Sequence, residues 1–179
     1  MADLAEVLII DNLTIKRFGE TFNVKGDVGD FISFHNFLNN CHMRIEEKVL
    51  YPNLRKGIWM DERWLFRKMD QFEEDHKLID SLGQDIIKWY TERNTEMLDE
   101  HLPLYFRILR DHGNSEESYV LNRWRLLPQA ERTDTMREAM MIINNFGRKR
   151  YAELTDLSDS AISYIFSDSL STLKHPARM

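Results

Sequence analysis

Residues 62–92 read ERWLFRKMDQFEEDHKLIDSLGQDIIKWYTE. Leu65, Met69, Phe72, Ile79, Ile86 and Trp89 recur there at steps of three, four and seven, which puts them on one face of an α-helix. The spacing predicts the longest helix of the chain. On its N-terminal side a second helix is expected from about Phe31 to Tyr51, with Pro52 closing it. A third precedes it over about Asp3 to Phe22, where Leu4, Leu8, Ile15, Phe18 and Phe22 form the stripe and Gly26 and Gly29 end the pattern. On the C-terminal side a helix is expected to open near Pro103, a residue suited to a first turn, and to run through Tyr105, Leu109 and Val120 to about Trp124. Leu127-Pro128 marks the next boundary, and two further helical stretches, 130–146 and 148–166, lead into a tail from Ser167. No stretch alternates with the period of two that a half-buried strand leaves. The reading is all-α, with a bundle of four helices and the start of the C-terminal helices over residues 1–150 and a helical extension and tail over residues 151–179.

Composition narrows the function classes. With 179 residues, 42% of them hydrophobic, the chain is long enough to bury a core without covalent staples. Its 24 basic and 30 acidic residues give a net charge of −6, and the one tight basic cluster, Arg148-Lys149-Arg150, is too short to track a phosphate backbone. Nucleic acid is not expected as a partner. A single cysteine, Cys41, excludes an intramolecular disulfide and a thiolate-rich metal cluster. No apolar run approaches the roughly 20 residues of a membrane span, and Met1-Ala2-Asp3 lacks the basic start of a signal peptide. A cytoplasmic protein without a membrane partner, monomeric or homodimeric, is expected.

Polar residues interrupt the apolar stripes at informative places. His42 and Glu46 stand at i and i+4, so both lie on one helical face about one turn apart, and His112 and Glu116 repeat the spacing. His76 sits between Phe72 and Ile79 in the stripe that opens this section. A buried imidazole needs a partner, because an unpaired buried polar group costs about 1–3 kcal/mol. Three histidines and two carboxylates on core-facing stripes are therefore expected to share a metal.

An internal repeat points the same way. Asp11-Asn12-Leu13-Thr14-Ile15-Lys16-Arg17-Phe18-Gly19 matches Asp75-His76-Lys77-Leu78-Ile79-Asp80-Ser81-Leu82-Gly83 at its Asp, Ile and Gly positions, which makes Asn12 the counterpart of His76. The His-x-x-x-Glu-Glu beginning at His42 recurs at His112. Two helix pairs related in this way bring both His-Glu faces to one central site, a geometry that suits two metals bridged by carboxylates. Imidazole and carboxylate without thiolate suit iron, manganese or zinc, and paired Glu and His inside a helical bundle are the usual setting of a di-iron or di-manganese centre.

At these residues the chain resembles the hemerythrin-like family, also called the HHE cation-binding family. The resemblance is carried by residues 6–15, by Cys41-His42-Met43-Arg44-Ile45-Glu46-Glu47-Lys48-Val49-Leu50-Tyr51-Pro52, by residues 74–79, and by Leu109-Arg110-Asp111-His112-Gly113-Asn114-Ser115-Glu116-Glu117. It implies an up-down-up-down four-helix bundle around a non-haem di-iron centre, with His42, Glu46, His76, His112 and Glu116 as ligands and Glu46 and Glu116 as bridges. The chain departs from the family at two positions, carrying Asn12 where the family has a first-helix histidine and Phe72 where the oxygen carriers have another. His35, seven residues before His42 and about 10 Å along the helix, is a candidate replacement ligand beside Asn12 itself. Glu47 and Glu117 are expected to be solvated or to orient imidazoles. His101 and His175 are expected at the surface, and Cys41, Met140, Met141 and Trp124 in packing roles.

Three functions compete on this reading. The first is a di-iron protein that handles oxygen, peroxide or nitric oxide, a binding protein rather than a dedicated enzyme. The second is iron storage, sensing or donation in the repair of damaged iron centres. The third is a metal-free helical interaction module, with Tyr164, Ile165 and Phe166 near a partner surface.

Overall fold

The computed structural model describes residues 3–57, 62–132, 134–158 and 160–165. Every regular element among them is helical. Helix α1 spans Leu4–Thr21, and α2 is one rod over residues 28–56 made of α-helix interrupted by π-helical turns at Leu38–His42 and Glu46–Leu50. Helix α3 spans Arg63–Glu92. Helix α4 covers residues 95–125, with a π-helical turn at Glu117–Leu121. Three shorter helices follow: α5 (Gln129–Arg132), α6 (Thr135–Phe146) and α7 (Arg148–Thr155). Residues 160–165 are again helical, whereas Phe166, the tail from Ser167 and His175 lie outside the described residues. None of the described helices is long and apolar enough to cross a membrane.

Local chemistry sets the helix starts. Asp3 accepts from the backbone N–H of Ala5 while Glu6 accepts from that of Asp3, which closes two of the orphan donors of α1. Asp27 caps α2 by accepting from Gly29, and Asn94 caps α4 by accepting from Met97. That last cap corrects the expected start at Pro103. Arg93 takes the left-handed conformation (φ 55°) that ends α3, so the chain turns within two residues and α4 opens at Thr95. Pro103 is then interior, on an exposed face where the carbonyl of Asp99, left without its donor, can turn to water. Pro52 likewise does not close α2, which runs on to Lys56. It follows a π turn, whose wider coil relieves the clash between the ring and the carbonyl one turn back. The expected helix over 130–146 is broken, with the Thr135 hydroxyl donating to the Arg132 carbonyl at the start of α6. The one expected over 148–166 is interrupted at Asp156 (φ 57°), which Arg17 of α1 holds by its carboxylate.

Contacts between successive long helices run in opposite chain directions. Phe22 meets Phe31 and Phe18 meets Phe34 between α1 and α2. Arg55 pairs with Asp70 while Asn39 donates to Asp80 between α2 and α3. Arg123 pairs with Glu62 while the His101 ring packs at a tilt against Trp89 between α3 and α4; His101 thus lies within a helix, half-buried against an aromatic ring. The end of the packed helices near Phe31 and Phe106 is filled by aromatic rings, each worth about 1.5–3 kcal/mol when buried. Helix α6 lays Ala139, Met140 and Ile143 onto α2, and α7 lays Tyr151 onto α1. The boundary expected at residue 150 falls inside α7.

Candidate metal centre

The three interrupting histidines and both glutamates meet between α2, α3 and α4. His42, Glu46 and Glu116 form one buried group of metal-ligating atoms, and Glu46, His76 and His112 form a second. Within each group the ligand atoms lie within 4.8 Å of one another. Glu46 belongs to both. Its Oε1 lies 3.0 Å from Nε2 of His42, and its Oε2 lies 3.1 Å from Nε2 of His76. Nε2 of His76 is in turn 3.1 Å from Nε2 of His112.

The imidazoles share one orientation. Each turns Nε2 inward and presents Nδ1 to an outer carboxylate: Asp11 at 3.5 Å from His42, Glu47 at 2.9 Å from His76, and Asp75 at 3.5 Å from His112. This is the arrangement by which an outer acid fixes the ring of a metal-binding histidine. Tyr51, stacked beside His76, donates its hydroxyl to Oε1 of Glu116 at 2.9 Å, leaving Oε2 of that residue facing Glu46. Tyr151 of α7 donates to Oδ1 of Asp11 at 2.7 Å.

Both oxygens of Glu46, Oε2 of Glu116, Oδ2 of Asp11 and Nδ1 of His42 are buried without a directed hydrogen bond among the described residues, although imidazole nitrogens lie about 3 Å from Glu46. Buried polar atoms are almost always paired, and a cation shared by the inner oxygens would satisfy them. The donor set of imidazole and carboxylate fits iron, manganese or zinc.

Electrostatics agree with a cluster assembled for a cation. Burial favours the neutral acid at Glu46, yet His42 and His76 outweigh it and hold the carboxyl well below the usual range. Glu116 goes the other way, pushed well up by burial and by the negative charge of Glu46. Burial opposes charge on His76, but Glu46 and Glu47 raise it to about 9. At His112 burial prevails over Asp75 and the value falls. Without metal the cluster therefore keeps its charges balanced by holding protons that a metal ion would displace.

Two candidates stand apart. Asn12, an amide and not among the imidazole and carboxylate atoms of the two groups, is half-buried and donates from Nδ2 to Oε1 of Glu117 at 3.1 Å. His35 belongs to neither group, with Nδ1 3.0 Å from the Tyr105 hydroxyl and Nε2 3.0 Å from Asn39 and 3.2 Å from Asp80. The sequence reading passed over Asp11, Tyr51, Asp75 and Tyr151. Asp11 was legible, since it interrupts the stripe of Leu4, Leu8 and Ile15 at helical spacing. The π turns carried no signal in the sequence, yet they abut the clustered residues: one ends on His42, one begins on Glu46, and the third begins directly after Glu116. Such turns recur at functional sites, where they re-aim side chains.

No protein family, curated protein or solved structure matches this chain, so the case for a metal centre rests on the geometry of the site.

Proposed function

We propose that the chain is a non-haem di-iron protein of hemerythrin-like type, its four long helices forming an up-down-up-down bundle, and that it handles oxygen, peroxide or nitric oxide. The observation that carries this reading is the position of Glu46, whose two oxygens face imidazoles of two different ligand groups. A carboxylate so placed suits a bridge between two ions better than a single tetrahedral site. A reduced iron pair, when bound, supplies electrons and an open coordination position to a small oxidant.

The rest is the work of this chain's own residues. Asp11, Glu47 and Asp75 hold the Nδ1 side of the three imidazoles, so each Nε2 stays available inward. Tyr51 holds a proton at Oε1 of Glu116 and keeps that carboxyl turned toward Glu46. The packing of Tyr51, Phe72 and Ile79 keeps bulk water away. Asn12, turned to Glu117, leaves the α1 side with no imidazole at that position. This favours reaction or transient binding over the fully imidazole-ligated site of a reversible carrier.

The metal-free reading is disfavoured by the four buried carboxylate oxygens of Glu46, Glu116 and Asp11 that lack a directed hydrogen bond among the described residues. Elemental analysis of protein made in iron-replete cells tests the proposal. Close to two irons per chain, with near-ultraviolet absorption after aerobic oxidation, is expected. Zinc alone, or no metal, overturns it.

A further inference from the structure

A groove of about 530 Å³ runs between α1 and α4, and the metal centre does not use it. It extends along α1 from Asn12 to Asn23, roughly 16 Å at 1.5 Å per residue. Its two ends differ in chemistry. At the far end Phe22, Val24, Leu102 and Phe106 make an apolar floor. Gly19 lets the helices approach there, since a Cβ at that position would come within 3.0 Å of the Phe106 ring. Midway along it, between Phe106 and the polar end at Asn12 and Glu117, the rim carries Lys16, Arg107 and Arg110. Lys16 and Arg107 are exposed and make no ion pair or hydrogen bond among the described residues. Of the two acids on the same rim, Glu20 and Glu117, the second is engaged by Asn12.

A half-open cleft with an apolar floor at one end and unpaired cations beside it, midway along, matches the dimensions and chemistry of a small-molecule site. We propose that this groove binds a free medium-chain fatty acid, with the alkyl chain on Phe22, Val24 and Phe106 and the carboxylate between Lys16 and Arg107. The basic rim selects an anionic head. The volume of about 530 Å³ suits a single alkyl chain rather than a lipid with two. Asn12 and Glu117 line the inner end, and Gly113 and Glu117 directly follow the metal-centre residues His112 and Glu116 in the chain. The carboxylate of the bound acid thus lies nearer the metal centre than its alkyl chain does. Its binding does not require metal.

The test is isothermal titration of dodecanoate, below its micelle concentration, into the full chain as purified and again after treatment with chelator. One equivalent per chain is expected in both preparations. Lys16→Glu and Arg107→Glu are each expected to weaken it at least tenfold, as is Val24→Asp at the apolar end. All three positions are at least partly exposed, and circular dichroism establishes that the variants are folded. Dodecyltrimethylammonium, with the same chain and the opposite charge, is expected not to bind. Absence of saturable dodecanoate binding overturns the proposal, as does equal binding of the cationic amphiphile or affinity unchanged in all three variants. Flotation with phosphatidylglycerol vesicles in the absence of dodecanoate binding also overturns it, by pointing to a membrane surface instead. Loss of dodecanoate binding only after chelation overturns the metal-independent site while leaving the metal centre intact.

Discussion

Asn12 stands to Glu117 as His76 stands to Glu47. Nδ2 of Asn12 donates to Oε1 of Glu117 across 3.1 Å, and Nδ1 of His76 lies 2.9 Å from Oε1 of Glu47. The repeat seen in the sequence is therefore a repeat of contacts, extended by the pairs Asp11–His42 and Asp75–His112, both at 3.5 Å. An imidazole at position 12 would already have its outer carboxylate in place. Asn12→His is expected to lose iron to a chelator several-fold more slowly than the parent. Equal or faster loss, followed by the decay of the ferric absorption, would show that position 12 does not face the centre.

Glu46 and Glu116 should differ in what they cost. Glu46 belongs to both ligand groups and is the counter-charge of His42 and His76, so Glu46→Ala is expected to reduce metal content to near zero. It should also destabilise the metal-free protein by about 3–5 kcal/mol, the range for breaking a buried ion pair. Glu116 is held neutral, so Glu116→Ala should cost the metal-free protein only about 1–3 kcal/mol and leave about half the metal. Glu47, partly exposed, should be the mildest of the three. Urea unfolding with and without chelator, alongside elemental analysis, separates these outcomes.

Tyr151 ties the C-terminal helices to the centre. Removing its hydroxyl leaves Oδ1 of a fully buried carboxyl without its donor, and Tyr151→Phe is expected to cost about 1–3 kcal/mol. The loss should show as a lower thermal midpoint. Faster proteolysis near α7 is expected with it.

Gly83 and Gly113 make an opposed pair of alanine substitutions. A Cβ at Gly83 would come within 2.2 Å of the His35 ring, which is held by Tyr105 and Asp80, so Gly83→Ala should destabilise by about 1–3 kcal/mol. At Gly113 the nearest atom is Oδ1 of Asn12 at 3.4 Å, a contact that a slight shift accommodates. There the gain in helix propensity of roughly 0.5–1 kcal/mol should prevail. Denaturation midpoints that move in the same direction for both would contradict this packing.

The long helix α3 was readable almost to the residue, because its apolar stripe recurs along the whole element and it begins and ends beside polar residues. The clustered His and Glu residues were readable for a related reason, as polar residues at core spacing. What the repeat does not encode is the difference in burial between its two copies. In α3 residue 76 is buried and residue 75 is half-buried; in α1 residue 11 is buried and residue 12 is half-buried. Tyr151, more than a hundred residues away, bonds Asp11 and fixes that roll of α1. No local pattern encodes such a contact. The starts of α2 and α4 depended on capping at Asp27 and Asn94, and Pro52 and Pro103 were read as boundaries although a widened turn and solvent accommodate them, whereas Pro128 does fall between helices.

The π turns bear on ancestry as well as on geometry. Each behaves as one residue inserted into an α-helix, which shifts the helical phase of everything beyond it. Tyr51 follows Glu46 by five positions, not four, and still points to the same buried cluster. The two ends of α2 therefore keep separate registers, as do the two ends of α4. A gap-free alignment of this chain with an uninterrupted helix would drift out of phase at residues 38–42, 46–50 and 117–121. Deleting a single residue within 47–50 would close that turn into regular α-helix and leave Tyr51 four positions after Glu46, still on the face that meets Glu116, so the widened turn carries an extra residue without moving the cluster.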